Sequence, residues 1–207
     1  MPIAPATALE VVAKHFQDRA RHTAAAICGA KCEQWLNFEA RVALMSHSPP
    51  LIAPDEHLWE QETPPGWSSI PDHLIYRLVA GKKDECVQVF EGKIIDDGPP
   101  SNVTAQLGDL RRQLELARTC GVQATLAVGM VYIIQVSGRH TTDGTMGKFP
   151  MVDDLWEYGR TEVQRAFQGT AAMYVPAVGV REVFKREQVR WVHLRPLVQF
   201  GMIAIVL

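Results

Sequence analysis

The spacing of apolar residues along the chain predicts where its helices and strands lie. Between residues 7 and 46, apolar side chains recur every three or four positions, which is the spacing of helices that bury one face. Thr7 and Glu10 have the spacing of a capping box, and Gly29 predicts a break into two helices. Residues 47–70 are rich in proline and predict a connector with a turn and one short helix.

The middle of the chain predicts a hairpin, then a helix, then a strand. Residues 73–79 and 86–95 are rich in β-branched and aromatic side chains, and the polar stretch 80–85 between them is typical of a hairpin turn. Residues 101–117 place their apolar side chains on one stripe, which predicts a helix that begins at a serine N-cap. The apolar run 122–128 then predicts a buried strand.

The last third of the chain predicts a further mixture of helix and strand. Residues 131–136 form a second apolar run, which is either an adjacent strand or a continuation of the first. Residues 153–168 have helical spacing, and extended spacing returns after residue 169. The final apolar run, residues 202–207, predicts a buried strand or a contact with a partner.

This order of elements predicts an α/β fold with a mixed central sheet flanked by helices. A chain of 207 residues suits a single domain. We divide it into N-terminal helices, a connector, a core and an α+β C-terminal extension: residues 1–46, 47–70, 71–137 and 138–207. An apolar content of 47% and a charged content of 21% are typical of a globular chain with a full core.

Three side chains of the predicted hairpin carry the candidate chemistry. Asp72 opens the first strand, and Glu91 and Lys93, two residues apart, emerge on the same face of the second. Antiparallel pairing would bring Asp72 beside them. Carboxylates are hard oxygen ligands for Mg²⁺ or Mn²⁺, the Gly92 carbonyl can add another, and a lysine can orient a metal-bound water. The set predicts metal-dependent hydrolysis of phosphodiesters.

The same residues resemble the signature of a known superfamily. Pro71-Asp72 followed by Glu91-Gly92-Lys93 is similar to the Pro-Asp…(Asp/Glu)-x-Lys motif, PD-(D/E)XK, of restriction-endonuclease-like nucleases. Gln106 and Leu107 resemble the Gln-Leu pair on the helix that follows the lysine strand in many members. The likeness spans roughly residues 70 to 130 and is nearest to nuclease domains of bacterial polymorphic toxins. It implies an Mg²⁺-dependent endonuclease that prefers DNA over RNA, with Gln106 at the nucleic acid.

The resemblance also implies an acid from a helix ahead of the sheet. We expect Glu39 to complete the metal site, with Glu33 as the alternative. A solvated or salt-bridged helix glutamate is the other interpretation. His73 follows Asp72 but should point to the opposite face, as a surface residue of the strand.

Basic side chains near the C-terminus predict a surface for nucleic acid. They alternate with aromatic residues that could stack on bases, although a plain solvated face explains them equally well. The predicted contacts are Arg181, Lys185, Arg186 and Arg190. A formal net charge of −2 argues against a protein that coats nucleic acid nonspecifically and suits an enzyme with one local basic face.

Several other classes of protein lack their signature here. The chain has no serine-hydrolase elbow, zinc-protease helix or dinucleotide-binding turn, and its four cysteines lack zinc-site spacing. It has no basic region leading into an apolar stretch at its start and no apolar run of about 18 residues, so we expect a cytoplasmic protein without membrane contact. A nuclease fold that binds without turnover remains the alternative function. A second copy of the chain and an inhibitory protein remain open as partners, and the role in toxicity, defence or repair also stays open.

Overall fold

A computed structural model describes most of the chain. The described residues are 2–28, 32–54, 56–60, 72–80, 82–96, 100–118, 126–136, 152–168, 173–174, 180–188 and 197–206. The helices are α1 (Pro5–Asp18), α2 (Ala20–Ile27), α3 (Cys32–Ser46), α4 (Pro100–Ala117) and α5 (Val152–Ala166). The strands are β1 (Glu56–Glu60), β2 (His73–Val79), β3 (Lys82–Ile95), β4 (Leu126–Val136), β5 (Met173–Tyr174), β6 (Val180–Gln188) and β7 (Leu197–Val206).

The described strands form one mixed sheet. Its order is β1-β2-β3-β4-β7, and both β5 and β6 pair with the far side of β7. Among these pairings β3 with β4 is parallel and the rest are antiparallel. Helix α4 connects the two parallel strands, as a parallel connection requires a crossover. The predicted α/β class with a mixed sheet and flanking helices is confirmed, and so is the order hairpin, helix, strand.

Helices cover both faces of the sheet. Helices α1, α2 and α3 pack on one face and share a core with Phe90, Tyr132 and Phe200. Helices α4 and α5 pack on the other face, against residues such as Val131 and Ile203. Successive residues of β4 and β7 therefore alternate between two buried cores, which explains why both strands are apolar apart from Gln135 and Gln199.

The paired strands β4 and β7 form the most apolar part of the sheet. Nine residue pairs join them, from Val128 opposite Val206 to Val136 opposite Val198. Strand β4 runs unbroken from Leu126 to Val136, so it joins the end of the first apolar run to the whole of the second. Residues 122–125 of the first run lie outside the described residues. The buried strand predicted at the end of the chain is also confirmed.

Helix packing over β7 depends on one close approach. A Cβ atom at Gly201 would lie 2.0 Å from Cζ3 of Trp156 on α5, so the glycine leaves space for the indole ring. On the opposite face, Phe200 meets Phe16 of α1 edge to face with ring centroids 5.2 Å apart. These contacts fix α1 and α5 over the same strand.

The N-terminal helices differ from the prediction at their ends. Helix α1 begins at Pro5, with Ala4 as an N-cap that makes no side-chain hydrogen bond, so the capping box at Thr7 is wrong. Proline at the first helical position needs no amide partner and already has helical φ, which favours the earlier start. A further break at Arg19 separates α1 from α2, and the predicted break at Gly29 lies outside the described residues.

The hairpin is present, but its turn is shorter than predicted. Val79 pairs with Lys82, so β3 begins four residues earlier than expected. Ala80 in the turn has a φ of 50°, a value that two-residue hairpin turns commonly require. Within the connector, Glu56–Glu60 forms a strand that pairs with β2, where a short helix was predicted. The free edge of β2 explains this outcome, because it offers a ladder of hydrogen bonds that a local helix cannot use.

None of the described helices is both long enough and apolar enough to cross a membrane.

Candidate active site

The candidate site lies where β3 extends beyond the end of β2. Strand β2 starts at His73, opposite Phe90, whereas β3 continues to Ile95. Amides two residues apart on a strand point to the same edge, so the N–H groups of Gly92 and Ile94 both face the side that β2 leaves open. Among the described strands none pairs with this side of residues 91–95, and we call this segment the free edge of β3.

Two carboxylates accept the hydrogen bonds of the free edge. Asp72, directly before β2, accepts a hydrogen bond from the Gly92 amide to Oδ2 at 2.7 Å. Glu33, in the first turn of α3, accepts one from the Ile94 amide. Backbone donors that a neighbouring strand would otherwise satisfy thus hold two acids in place.

Glu91 and Lys93 complete the cluster from the free edge itself. The Lys93 ammonium lies 3.0 Å from Oε1 of Glu91, 3.8 Å from Oε1 of Glu33 and 3.9 Å from Oδ2 of Asp109 on α4. The other oxygen of Glu91, Oε2, accepts a hydrogen bond from the Asp72 amide at 3.2 Å. The Lys93 ammonium is therefore surrounded by three carboxylates, and Asp72 lies next to them.

Helix α3 places a neutral polar side chain against the same group. The amide of Asn37 donates a hydrogen bond to the Asp72 carboxylate. Its backbone carbonyl accepts a hydrogen bond from Nε2 of His73 at 2.8 Å. Asn37 also covers Gly92 so closely that a Cβ atom there would lie 2.1 Å from its Oδ1. Helix α3 and the hairpin are thus joined through the site.

Burial and crowding of negative charge raise the pKa of the acids. Burial first, and Asp72 second, raise the pKa of Glu91 to about 7. Burial also raises the pKa of Asp72 and of Glu33, and the hydrogen bonds from the Gly92 and Ile94 amides offset only part of it. Burial opposes the charge on Lys93, but Glu91 and its neighbours outweigh burial and raise the lysine pKa. Such a group has more carboxylates than one lysine can neutralise.

The donor chemistry of the site fits a small divalent cation. In the described part of the chain, no three His, Cys, Asp or Glu side chains are arranged to ligate one ion together. Mg²⁺, however, keeps several waters and needs only one or two carboxylates from the protein. Asp72 and Glu91 are neighbouring carboxylates with hard oxygens, and burial, followed by the charge of Asp72, raises the pKa of Glu91. A bound cation would offset part of the cost of charging these acids.

The structure brings the three predicted catalytic residues together and corrects the helix acid. Asp72, Glu91 and Lys93 form one cluster, as the hairpin predicted. Glu39 has a different position: its carboxylate accepts hydrogen bonds from His15 at 2.7 Å and Arg19 at 2.9 Å, both from the α1 side. It is a buried, salt-bridged helix glutamate, and Glu33 is the α3 acid at the free edge.

The predicted nucleic-acid contacts are spread over two places. Gln106 lies on α4, one turn before Asp109, and its buried Oε1 has no hydrogen-bond partner. Arg181, Lys185 and Arg186 lie on β6. Strands β4 and β7 separate β6 from β3, which corresponds to about 14 Å at ordinary strand spacing. The three described basic residues therefore lie on a strand away from the free edge, and Arg190 is outside the described residues.

The sequence did not identify Asn37 and Asp109 as residues of the site, and it placed His73 on the surface. His73 is buried, and burial lowers its pKa to about 4, so it is a neutral core histidine and not a surface residue. Asn37 occupies the buried stripe of α3 together with Ala40 and Leu44, and a polar residue in an apolar stripe is the signal that could have identified it. Asp109 is on a flank of α4 and carries no such signal.

Comparison with protein-family models, with curated proteins and with solved structures found no match in any of the three.

Proposed function

We propose that the chain is a metal-dependent nuclease with its active site at the free edge of β3. The observation that carries the proposal is the convergence of Asp72 and Glu91 with the Lys93 ammonium, 3.0 Å from Glu91, at the open end of a hairpin. The same residues carry the resemblance to restriction-endonuclease-like nucleases. A core of that type is part of the proposal, with β2, β3, α4 and β4 as its shared elements.

Each residue of the site would have its own role in binding the cation or the substrate. Asp72 and Glu91 would hold the cation together with the Gly92 carbonyl, and Glu33, 3.8 Å from the Lys93 ammonium, would help to place the lysine. A bound Mg²⁺ or Mn²⁺ supplies Lewis acidity toward the phosphate and lowers the pKa of water. Lys93 keeps its proton, since its carboxylate neighbours raise its pKa, so it acts as a hydrogen-bond donor and not as a base. A donated proton and a positive charge near the attacked phosphate stabilise the charge that develops there.

A polynucleotide is the substrate we propose, with DNA preferred over RNA. Phosphodiester chemistry follows from the acids and the lysine, and the preference for DNA follows from the resemblance. The resemblance assigns Gln106 to the nucleic acid, and the residue lies one turn before Asp109 on α4, with its Oε1 enclosed and without a hydrogen-bond partner. A second copy of the chain and an inhibitory protein are the candidate partners, and the role of such a nuclease would lie in toxicity, defence or repair.

Cleavage by the purified protein tests this proposal. Double-stranded DNA, single-stranded DNA and RNA are incubated with Mg²⁺, with Mn²⁺ and with EDTA. We expect cleavage of DNA with a cation and none with EDTA. Glu91→Gln should remove the activity, whereas Glu39→Gln, the salt-bridged glutamate on the α1 side of α3, should retain it. Binding of nucleic acid without cleavage under every metal condition would favour the inactive binding module.

A further inference from the structure

We propose that Asn37 is a positioning residue that holds the Asp72 carboxylate in the orientation the cation site needs. This inference rests on the proposed function, because it assigns Asp72 as a ligand. The Asn37 side chain donates to Asp72 from α3, while the Gly92 amide donates to Oδ2 of the same carboxylate from β3 at 2.7 Å. Two donors from two different elements define the plane of the carboxylate before any cation arrives.

The side chain and the backbone of Asn37 have separate tasks. Its carbonyl accepts the hydrogen bond of His73 Nε2 at 2.8 Å, which attaches α3 to β2. A substitution of the side chain keeps that carbonyl, so the attachment of the helix should persist. The contact with Asp72 is made by the side-chain amide alone. The two tasks can therefore be separated by mutation.

Gly92 is the counterpart of Asn37 across the site. A Cβ atom at position 92 would lie 2.1 Å from Oδ1 and 2.9 Å from Cγ of Asn37, closer than non-bonded atoms can approach. Asn37 is buried, so its side chain cannot simply swing into solvent. A side chain at position 92 would therefore push the Asn37 amide away from Asp72. On this account, the glycine between Glu91 and Lys93 is required by the Asn37 amide.

This arrangement makes Asn37 and Gly92 energetically coupled. Gly92→Ala alone should lower the melting temperature because its methyl group collides with the Asn37 amide. Asn37→Ala removes that amide, so the double variant should recover part of the melting temperature that Gly92→Ala loses. The double variant should not recover cleavage, since the donor to Asp72 is still missing.

Amide hydrogen exchange tests the position of Asp72 without requiring activity. The Gly92 amide is held by Asp72 and the Ile94 amide by Glu33, so Ile94 is an internal reference on the same edge. In Asn37→Ala we expect Gly92 to exchange at least about tenfold faster relative to Ile94. Asn102→Ala, an exposed asparagine on α4, is the matched control and should leave the ratio unchanged.

Kinetics and cation binding complete the experiment. We expect Asn37→Ala to lower kcat by about ten- to a hundredfold with little change in KM, as for other residues that orient a metal ligand. It should also reduce the Mn²⁺-dependent rise in melting temperature, while Asn102→Ala retains both. An unchanged Gly92 to Ile94 exchange ratio, or unchanged kcat with an unchanged Mn²⁺ response, would overturn the proposal. If the wild type cleaves nothing, the nuclease proposal fails, and exchange together with the Mn²⁺ response still decides whether Asn37 positions Asp72.

Discussion

Two neighbouring regions of the sheet differ in what they bury. At the β4–β7 pair, apolar side chains on both faces are buried under helices, and Phe200 and Ile203 are fully enclosed. At the free edge of β3, the charged Glu91 is buried beside the apolar Ile94 and Ile95, and Lys93 and the neighbouring Asp72 are partly buried. The first region gains free energy from each apolar side chain that it buries. The second region loses free energy, because its charged side chains leave water and neighbouring residues neutralise them only in part.

The difference indicates what each region contributes. Replacement of apolar residues in the β4–β7 pair should change stability and leave the chemistry of the folded molecule alone. Replacement of the charges at the free edge should do the reverse, because buried acids with raised pKa values are retained for function more often than for stability.

The largest loss of stability should come from Phe200→Ala. The ring is fully buried, meets Phe16 edge to face and stacks on Tyr132 with an interplanar angle of 15°. Truncation of a buried phenylalanine costs about 3 to 5 kcal/mol. Chemical denaturation should show this loss, while the cleavage rate per folded molecule at low temperature remains that of the wild type. A stable variant with impaired cleavage would contradict the division between the two regions.

The largest loss of activity should come from Lys93→Ala. Removal of a preorganised donor to developing charge typically lowers kcat by about 10² to 10³. Lys14→Ala, which removes an exposed lysine paired with Asp18 on α1, is the matched control and should cleave normally. Circular dichroism and denaturation should show both variants folded. Undiminished cleavage by Lys93→Ala would show that the lysine has no part in the reaction.

A smaller effect concerns the pH dependence of stability. The pKa of Glu91 is about 7 in the folded protein, against an ordinary value of 4.5, so the folded state binds the proton more tightly. Between pH 4.5 and 7 the wild type therefore loses stability as pH rises, by up to about 1.4 kcal/mol per unit from this group. Glu91→Gln lacks this loss, so its stability relative to the wild type should increase across the window.

The variant is compared with the wild type because titration of His73 changes stability with pH in the opposite direction. Its pKa is about 4 in the folded protein, against an ordinary 6.5, so the wild type gains stability from this group as pH rises from 4 to 6.5. The two slopes oppose each other where they overlap. Urea denaturation of both proteins at several pH values measures the difference directly. A constant difference between Glu91→Gln and wild type would exclude a raised pKa for Glu91.

The smallest activity effect separates the two glutamates of α3. Glu33 accepts the Ile94 amide and lies 3.8 Å from Lys93, whereas Glu39 pairs with His15 and Arg19. Glu33→Gln should lower cleavage by about ten- to a hundredfold, the range seen when a group supporting a metal site is lost. Glu39→Gln should lower stability more than cleavage. Equal cleavage rates of the Glu33→Gln and Glu39→Gln variants would show that Glu33 takes no part in the reaction.

The sequence predicted the elements of the core because their patterns are local. The apolar stripe of α4, the alternation of the hairpin and the apolar runs of β4 and β7 each follow from the period of one element. The candidate residues Asp72, Glu91 and Lys93 followed as well, since register alone brings paired strand ends together. Hairpin and motif therefore could be predicted without knowledge of the rest of the fold.

The site residues that the sequence did not predict correctly depend on how separate elements pack against each other. The choice between Glu33 and Glu39 is set by the rotation of α3 against β3 and α1, and both glutamates look alike in the helix pattern. Asn37 belongs to the site through the close approach of α3 to Gly92, and Asp109 through the crossing of α4 over Lys93. Helix rotation and crossing are properties of the assembled core, so one element's sequence does not determine them.

The response of melting temperature to Mn²⁺ tests the central claim most directly, namely that the acids at the free edge are kept for a cation at the expense of stability. Asp72→Asn removes one of two neighbouring buried acids. We predict that it melts at a higher temperature than the wild type without metal, because one repelling charge is gone. With increasing Mn²⁺ the wild type should gain melting temperature with the logarithm of the concentration, and the variant should gain much less. Parallel curves, or no response of the wild type to millimolar Mn²⁺ or Mg²⁺, would contradict the claim.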